Sequence, residues 1–213
     1  MFSTVSALVD DLSANYDNTD LATVQDSTVR ENKYTSYVNR LYNQLWYRRD
    51  WRWTYGTKDP LTMSSGTASY PTDYAGIGNQ GGLYDAEGNP WRRIAYQDVE
   101  SLRARGVSAQ SKLFSLGPST IIIPNTASSA NFRFVYRKTP ATLNYTQGTA
   151  LAPMPPAFVV ALHAGVVARV KEEEGDTRPE WRADFLQALS EAFRVENQGS
   201  EAQQMPMAVG GMW

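Results

Sequence analysis

The chain has 213 residues, 42% of them apolar and 20% charged, which places it among ordinary globular proteins long enough to build a core rather than among disordered chains. A formal charge of −2 excludes a general attraction to nucleic acid or anionic membrane. The absence of cysteine excludes disulfides, thiolate nucleophiles and cysteine-ligated metals.

The charge is unevenly spread. Residues 1–50 carry five basic and seven acidic side chains, residues 51–140 ten and six, and residues 141–213 five and nine. A basic middle between acidic flanks suits identical subunits that attract one another, although scattered solvated charge gives the same count. The N-terminal stretch MFSTVSALVDD has neither a basic start nor a long apolar run, so no export signal is read. The longest apolar run, Ala157–Ala168, falls short of the ~20 residues that span a bilayer. The expected setting is the cytoplasm or a particle assembled there, with no membrane partner.

In chain order, Ser3 or Thr4 is expected to cap a short helix with Val5, Leu8, Val9 and Leu12 on one face. Thr28 with Glu31 reads as a capping box opening a second helix. That helix leads into the densest aromatic stretch, Tyr34–Tyr55, which holds eight of the 25 aromatic residues. Val38, Leu41, Tyr42, Leu45 and Trp46 recur at helical spacing. After Arg48-Arg49-Asp50 the period becomes two, so Trp51, Trp53 and Tyr55 predict a half-buried strand that fastens the helical part to its sheet.

Strand signals continue to Tyr136. Leu83-Tyr84 and Trp91–Ile94 flank the turn-rich Asp85–Pro90 and predict a hairpin. Asp98 is expected to cap a brief helix through Arg105, stopped by Gly106. Ile121–Ile123 and Phe132–Tyr136 are predicted to form the strongest antiparallel pair, within a small sandwich or curved sheet. After Pro153, Pro155 and Pro156 a helix over Ala157–Lys171, apolar almost all round, is expected to be covered on several sides. Thr177 and Glu180 read as a second capping box, before a helix carrying Trp181, Phe185, Leu189 and Phe193 at four-residue spacing. Residues 200–213, SEAQQMPMAVGGMW, show neither helical nor strand period.

The candidates for chemistry are few. Gly76-Ile-Gly78-Asn-Gln-Gly81 fits the dinucleotide fingerprint, but a strand rather than a helix is expected to follow it, so a mobile glycine loop is the better reading and no cofactor is expected. His163, the only histidine, lies mid-helix among Ala, Leu and Val and reads as a satisfied core or interface side chain. Paired carboxylates would serve a glycosidase. Yet Glu172-Glu173-Glu174 reads as a solvated helix end, and Asp73, Asp85, Glu87 and Asp98 as turn residues. Arg48, Arg49 and Arg52 among Tyr47, Trp51 and Trp53 resemble a nucleic-acid surface, but guanidinium groups stacked on rings, with Asp50 pairing their charge, are favoured. No catalytic or metal residue is therefore assigned. In the tail, Met205, Pro206, Met207, Val209, Met212 and Trp213 are costly to leave in water, and adaptable Met with anchoring Trp suits a docking peptide.

Four stretches together carry a family likeness: the aromatic helix ending RRDWRW, the segment Tyr70-Pro71-Thr72-Asp73-Tyr74, Ile121–Pro124 followed by FRFVYRKTP, and the proline-led helix pair Pro155–Gly199. In these the chain, over roughly Thr28 to Gly199, resembles the head-to-tail adaptor (connector, head completion) proteins of tailed bacteriophages, including tail tubular protein A-like adaptors. The resemblance implies an α+β fold: a helical bundle (1–50 and 151–199), an inserted antiparallel β module (51–150), and an extended docking tail (200–213). It implies a non-enzymatic virion protein at the head–tail junction. Copies would close into a ring, usually a dodecamer, between the portal and a tail or nozzle protein, with DNA only as channel passenger. The tail residues 205–213 are then expected at an interface, and Gly76, Gly78, Gly81 and Gly82 at contacts with the next ring or nozzle. Other readings are a tail terminator or other ring component, a carbohydrate-binding β-sandwich presenting Trp51, Trp53 and Trp91, and a metal-independent glycosidase.

Overall fold

The structure, a computed structural model, describes residues 2–16, 27–106, 112–124 and 130–198, with the backbone alone for 27–30. The Thr28 side chain on which the Thr28–Glu31 capping box depends, and the tail from 199 onward, lie outside what the structure describes. The fold is α+β, as expected, and the chain forms two compact units: residues 1–47 with 142–213, and residues 48–141.

The first unit is helical. Helix α1 spans Val5–Tyr16, and the Thr4 hydroxyl accepts the Ala7 amide at 3.3 Å, which identifies Thr4 as the cap. Val5, Leu8, Val9 and Leu12 are all fully buried, as their spacing predicts. Helix α2 spans Ser27–Arg48 and buries Tyr34, Val38, Tyr42, Leu45 and Trp46, while Leu41 is half-buried. The stripe ends where the helix ends, because Asp50 already lies outside it.

The two later helices of the bundle, α4 and α5, also belong to this unit. Helix α4, Pro156–Glu173, has Pro155 as its cap and Pro156 in its first turn, where a missing N–H costs nothing. Nine of its eighteen residues are buried, so it is covered on several sides. Gly175, at φ 80°, follows its C-terminus, and the Asp176 amide donates back to the Lys171 carbonyl at 2.9 Å. Helix α5, Pro179–Gln198, buries Leu189 and Ala192 fully. Its Trp181, Phe185 and Phe193 are only half-buried, so the four-residue spacing marks the inward face without the full burial expected of it. In the turn before α5 the Asp176 carboxylate accepts the Arg178 amide at 3.2 Å and the Trp181 indole N–H at 3.0 Å.

The second unit is built on two four-stranded sheets. Strands β1 (Tyr55–Thr62), β3 (Tyr74–Gly76) and β4 (Gly82–Tyr84) all pair antiparallel with the central β8 (Asn131–Lys138). The other sheet runs β2 (Thr67–Ser69), β7 (Thr120–Ile122), β6 (Leu113–Leu116), β5 (Arg92–Arg93), with β5 parallel to β6 and the remaining pairs antiparallel. Helix α3, Tyr96–Ala104, lies between β5 and β6 in the chain. Leu61, Leu83, Phe132 and Phe134 of the first sheet share one core with Phe114 and Ile121 of the second. In β8 the alternation is clean: Phe132, Phe134 and Tyr136 are buried, and Asn131 and Arg133 exposed.

Two local expectations fail here and two hold only in part. Trp51 and Trp53 are not in a strand: Arg52–Thr54 form a 3-10 turn closed by the Thr54 amide and hydroxyl on the Trp51 carbonyl, at 3.1 and 2.7 Å, and the strand begins at Tyr55. Over three residues, alternation and a tight turn look alike in sequence. Ile121–Ile123 and Phe132–Tyr136 do not pair with each other; β7 and β8 enter different sheets and meet only through the core. A β-branched run reports burial, not the identity of its partner. The arms of the Asp85–Pro90 loop do close on each other, with the Trp91 amide on the Leu83 carbonyl at 2.8 Å, but β4 and β5 then part into separate sheets. Asp98 lies inside the first turn of α3, whose cap is Ala95; Gly106, at φ 65°, does end it.

Candidate interaction surfaces

The glycine segment is held rather than loose. Between β3 and β4 the turn at Gly78 (φ 61°) presents the Asn79 amide to the Asp50 carboxylate at 2.8 Å and the Gln80 amide to the Tyr55 hydroxyl at 3.1 Å. A Cβ on Gly78 would sit 1.9 Å from the Tyr55 hydroxyl, and one on Gly81 would sit 1.8 Å from the Ile77 carbonyl oxygen. Both glycines are thus demanded by close approach within the turn. The turn does what phosphate-binding loops do, aiming backbone N–H groups at an anion, but its anion is the protein's own Asp50. The mobile loop expected from the sequence is corrected accordingly. Gly76 and Gly82 end and begin the flanking strands, with Gly78, Asn79 and Gln80 exposed at the tip.

Asp50 also meets Arg137, at 3.5 Å, and Arg137 donates to the Arg49 carbonyl at 3.1 Å. The Arg49 guanidinium lies 5.8 Å from the Trp51 ring centroid, the stacking favoured from sequence, and Arg137, far along the chain, is a partner of Asp50. Trp51 and Trp53 are 1% and 8% exposed, and Trp91 is half-buried with its ring edge-on to Phe132 at 4.9 Å. None of the three stands out as the flat, open platform that saccharide stacking requires, which removes the support for that reading.

In the helical unit, His163 Nε2 lies 2.8 Å from the Asp11 carboxylate and its ring stacks on Phe2 at 5.1 Å, so it ties α1 to α4. The Glu172–Glu174 end is more engaged than a solvated terminus. Glu173 pairs with Arg169 at 3.1 Å and accepts the Tyr37 hydroxyl from α2, and Glu174 pairs with Lys171 at 2.7 Å. Beside it an open groove of about 370 Å³ runs between α2, α4 and α5, with Leu41, Gly165 and Phe185 on its floor and Arg40, Arg169 and Arg182 on its rim. Gly165 is the contact point, since a Cβ there would lie 2.4 Å from Leu41 Cδ2 and 2.9 Å from the Phe185 ring.

The carboxylates with shifted titration are all displaced towards the charged form. A hydrogen bond from Lys112, at 2.6 Å, holds Asp85 at about 2. Hydrogen bonds from Arg178 and Trp181 hold Asp176 well below the usual carboxylate range, and one from Arg194 lowers Glu191. A glycosidase acid needs the opposite shift, so that its proton is retained near neutral pH. Among the described residues, no group of three or more His, Asp or Glu is placed to hold a metal ion, and no helix is long and apolar enough to cross a membrane. The docking residues Met205, Pro206, Met207, Val209, Met212 and Trp213 fall outside the described residues.

Sequence reasoning missed the partners that matter locally: Asp50 and Tyr55 for the glycine turn, and Arg137 for Asp50. Polar partners so far apart in the chain leave no periodic trace. Compared with known families, residues 3–210 match the sequence model described as SU10 adaptor protein. No curated protein matches the chain.

Proposed function

The chain belongs to the SU10 adaptor protein family, and from that premise we propose that it is a structural protein of a tailed-bacteriophage particle whose copies close into a ring joining portal to tail. The observation that carries this reading is the extent of the family match, which takes in both compact units. As a family adaptor the chain works by contact with other virion components.

In the finer reading the ring is a dodecamer at the head–tail junction, sits beneath the portal, meets a tail or nozzle protein, and extends the channel through which DNA passes. A tile of this kind needs heterologous interfaces and rigid elements, and no catalytic group. A net charge of −2 suits a channel along which DNA slides without being gripped. The exposed tip at Gly78–Gln80 is the surface offered to the next ring or the nozzle, and Asp50 and Tyr55 keep it in shape before contact. Met205–Trp213 docks on the portal or on a neighbouring subunit, where the Met and Trp side chains leave water.

The test is reconstitution. Portal-bearing heads lacking the protein are incubated with the full chain or with a version ending at residue 204. The full chain is expected to sediment with the heads in a fixed, ring-sized copy number, and the shortened one to be lost on washing while its circular dichroism is unchanged. Equal retention of both removes the docking role of the tail, and retention of neither removes the junction.

A further inference from the structure

Charge in this chain follows the division into units. Residues 48–141 hold twelve basic and seven acidic side chains, and the rest of the chain holds eight and fifteen, so the β unit carries +5 and the helical unit −7. Several of the unit's acids are paired within it. Asp50 meets Arg137, Asp85 meets Lys112, and Glu100 lies 3.7 Å from Arg103. Arg103 is further committed to the Ile123 and Gly66 carbonyls, at 3.0 and 2.7 Å. Arg92 and Arg93 are both exposed on β5, the outermost strand of its sheet, and Arg105 is exposed at the end of α3. An edge strand marked by two arginines cannot receive another apolar strand, but it is well suited to an acidic surface.

Such a surface lies on α5. Glu180, Asp184 and Glu191 are exposed and follow one another at spacings of four and seven, which places them on one stripe, opposite the side that buries Leu189 and Ala192. Glu191 is partnered by Arg194 at 2.6 Å and Glu180 lies within electrostatic reach of Arg178, so Asp184 with Glu180 forms the acidic end of the stripe.

We infer that the β5 edge of one copy, through Arg92 and Arg93, seats against the acidic stripe of α5 on the next copy. This rests on the ring reading above and names the faces that would meet in it. Units of net charge +5 and −7 on every chain suit a head-to-tail contact between copies, the kind of contact a heterologous ring requires. Nucleic acid is the competing partner for the basic face. It is disfavoured because a chain of net charge −2 has no general attraction to it.

Mutual rescue tests the inference. Two full-length variants, Arg92→Glu/Arg93→Glu and Glu180→Lys/Asp184→Lys, are compared with the unmodified chain by sedimentation velocity over a concentration series. The unmodified chain is expected to self-associate at ~0.1 M salt and to weaken at least about tenfold at ~1 M, as the screening length falls from ~10 to ~3 Å. Each variant alone is expected to lose self-association by a similar factor. Their equimolar mixture is expected to regain it, because alternating copies restore opposite charge at every contact. The milder Arg92→Gln/Arg93→Gln replaces the reversal if a melt shows that reversal unfolds the protein, with partial loss expected.

Unimpaired assembly of both variants, or a mixture no better than either variant, overturns the inference. So does an unmodified chain that never self-associates, a result that still leaves a portal-templated ring to be judged by imaging. Retention of duplex DNA that is lost on Arg92→Glu/Arg93→Glu, with assembly unchanged, overturns it in favour of nucleic acid.

Discussion

Asn39 and Leu143, 104 residues apart, are joined by two hydrogen bonds of 2.8 Å: the Asn39 amide donates to the Leu143 carbonyl and its oxygen accepts the Leu143 amide. One side chain thereby fixes both backbone groups of the residue at which the chain re-enters the helical unit. Replacing Asn39 by Ala leaves a buried residue, 2% exposed, with both groups unpaired. The expected loss is about 1–3 kcal/mol in urea unfolding. Asn39→Asp keeps the acceptor and should cost less. Equal stability of Asn39→Ala and the parent would show that water replaces the clamp.

Gly165 lets α2 and α5 approach α4. Gly165→Val drives a branched side chain into Leu41 and Phe185 and is expected to cost about 1–3 kcal/mol, despite the intrinsic gain from removing a helical glycine. Leu41→Ala in the same chain opens space beside the new methyl groups. The double variant should therefore be more stable than the two single losses predict, a coupling that a double-mutant cycle measures.

Asp50→Ala removes the acceptor for the Asn79 amide and the carboxylate facing Arg137. Exchange of the Asn79 amide with deuterium should accelerate at least about tenfold, corresponding to ~1.4 kcal/mol of lost local protection. Amides in the middle of β8 should keep their rates. Unchanged exchange at Asn79 would show that the glycine turn keeps its shape without Asp50.

Alkaline unfolding should follow tyrosine. Tyr37 and Tyr136 are pushed up to about 12 by burial and by hydrogen bonds to Glu173 and Asp73. Tyr145 is pushed up to about 12 first by its bond to Asp10 and then by burial. An unfolded tyrosine ionises near ~10, so between ~10 and ~12 the unfolded state releases protons that the native state retains. The stability these groups contribute is complete below ~10 and is lost as pH rises towards ~12. Absorbance at the phenolate band and circular dichroism should then change together in that window. Full tyrosine ionisation before any loss of helix would contradict it.

Much of the helical unit was legible because its buried faces repeat with the helix. The α1 face at Val5, Leu8, Val9 and Leu12, the α2 stripe and the all-round burial of α4 all follow from spacing and from the energy of removing apolar surface from water. The β unit was legible in composition but not in pairing. Ile121–Ile123 and Phe132–Tyr136 are strand-forming and buried, yet which strand each joins depends on contacts that neither encodes alone. Trp51 and Trp53 misled because two aromatic residues around an arginine fit alternation and a 3-10 turn equally well. In the glycine segment the absence of a following helix was readable, but the internal anion was not. Asp50 lies in the connection after α2, 29 residues before the amide it accepts.

The most direct measurement is a single-particle reconstruction of the neck of the intact virion, with the density fitted by the two compact units independently. The expected result is twelve copies in one collar between portal and tail, each with its C-terminal residues against the portal or an adjacent copy and with DNA on the axis. A collar made of other proteins, or this chain present as isolated copies away from the neck, would contradict the assignment.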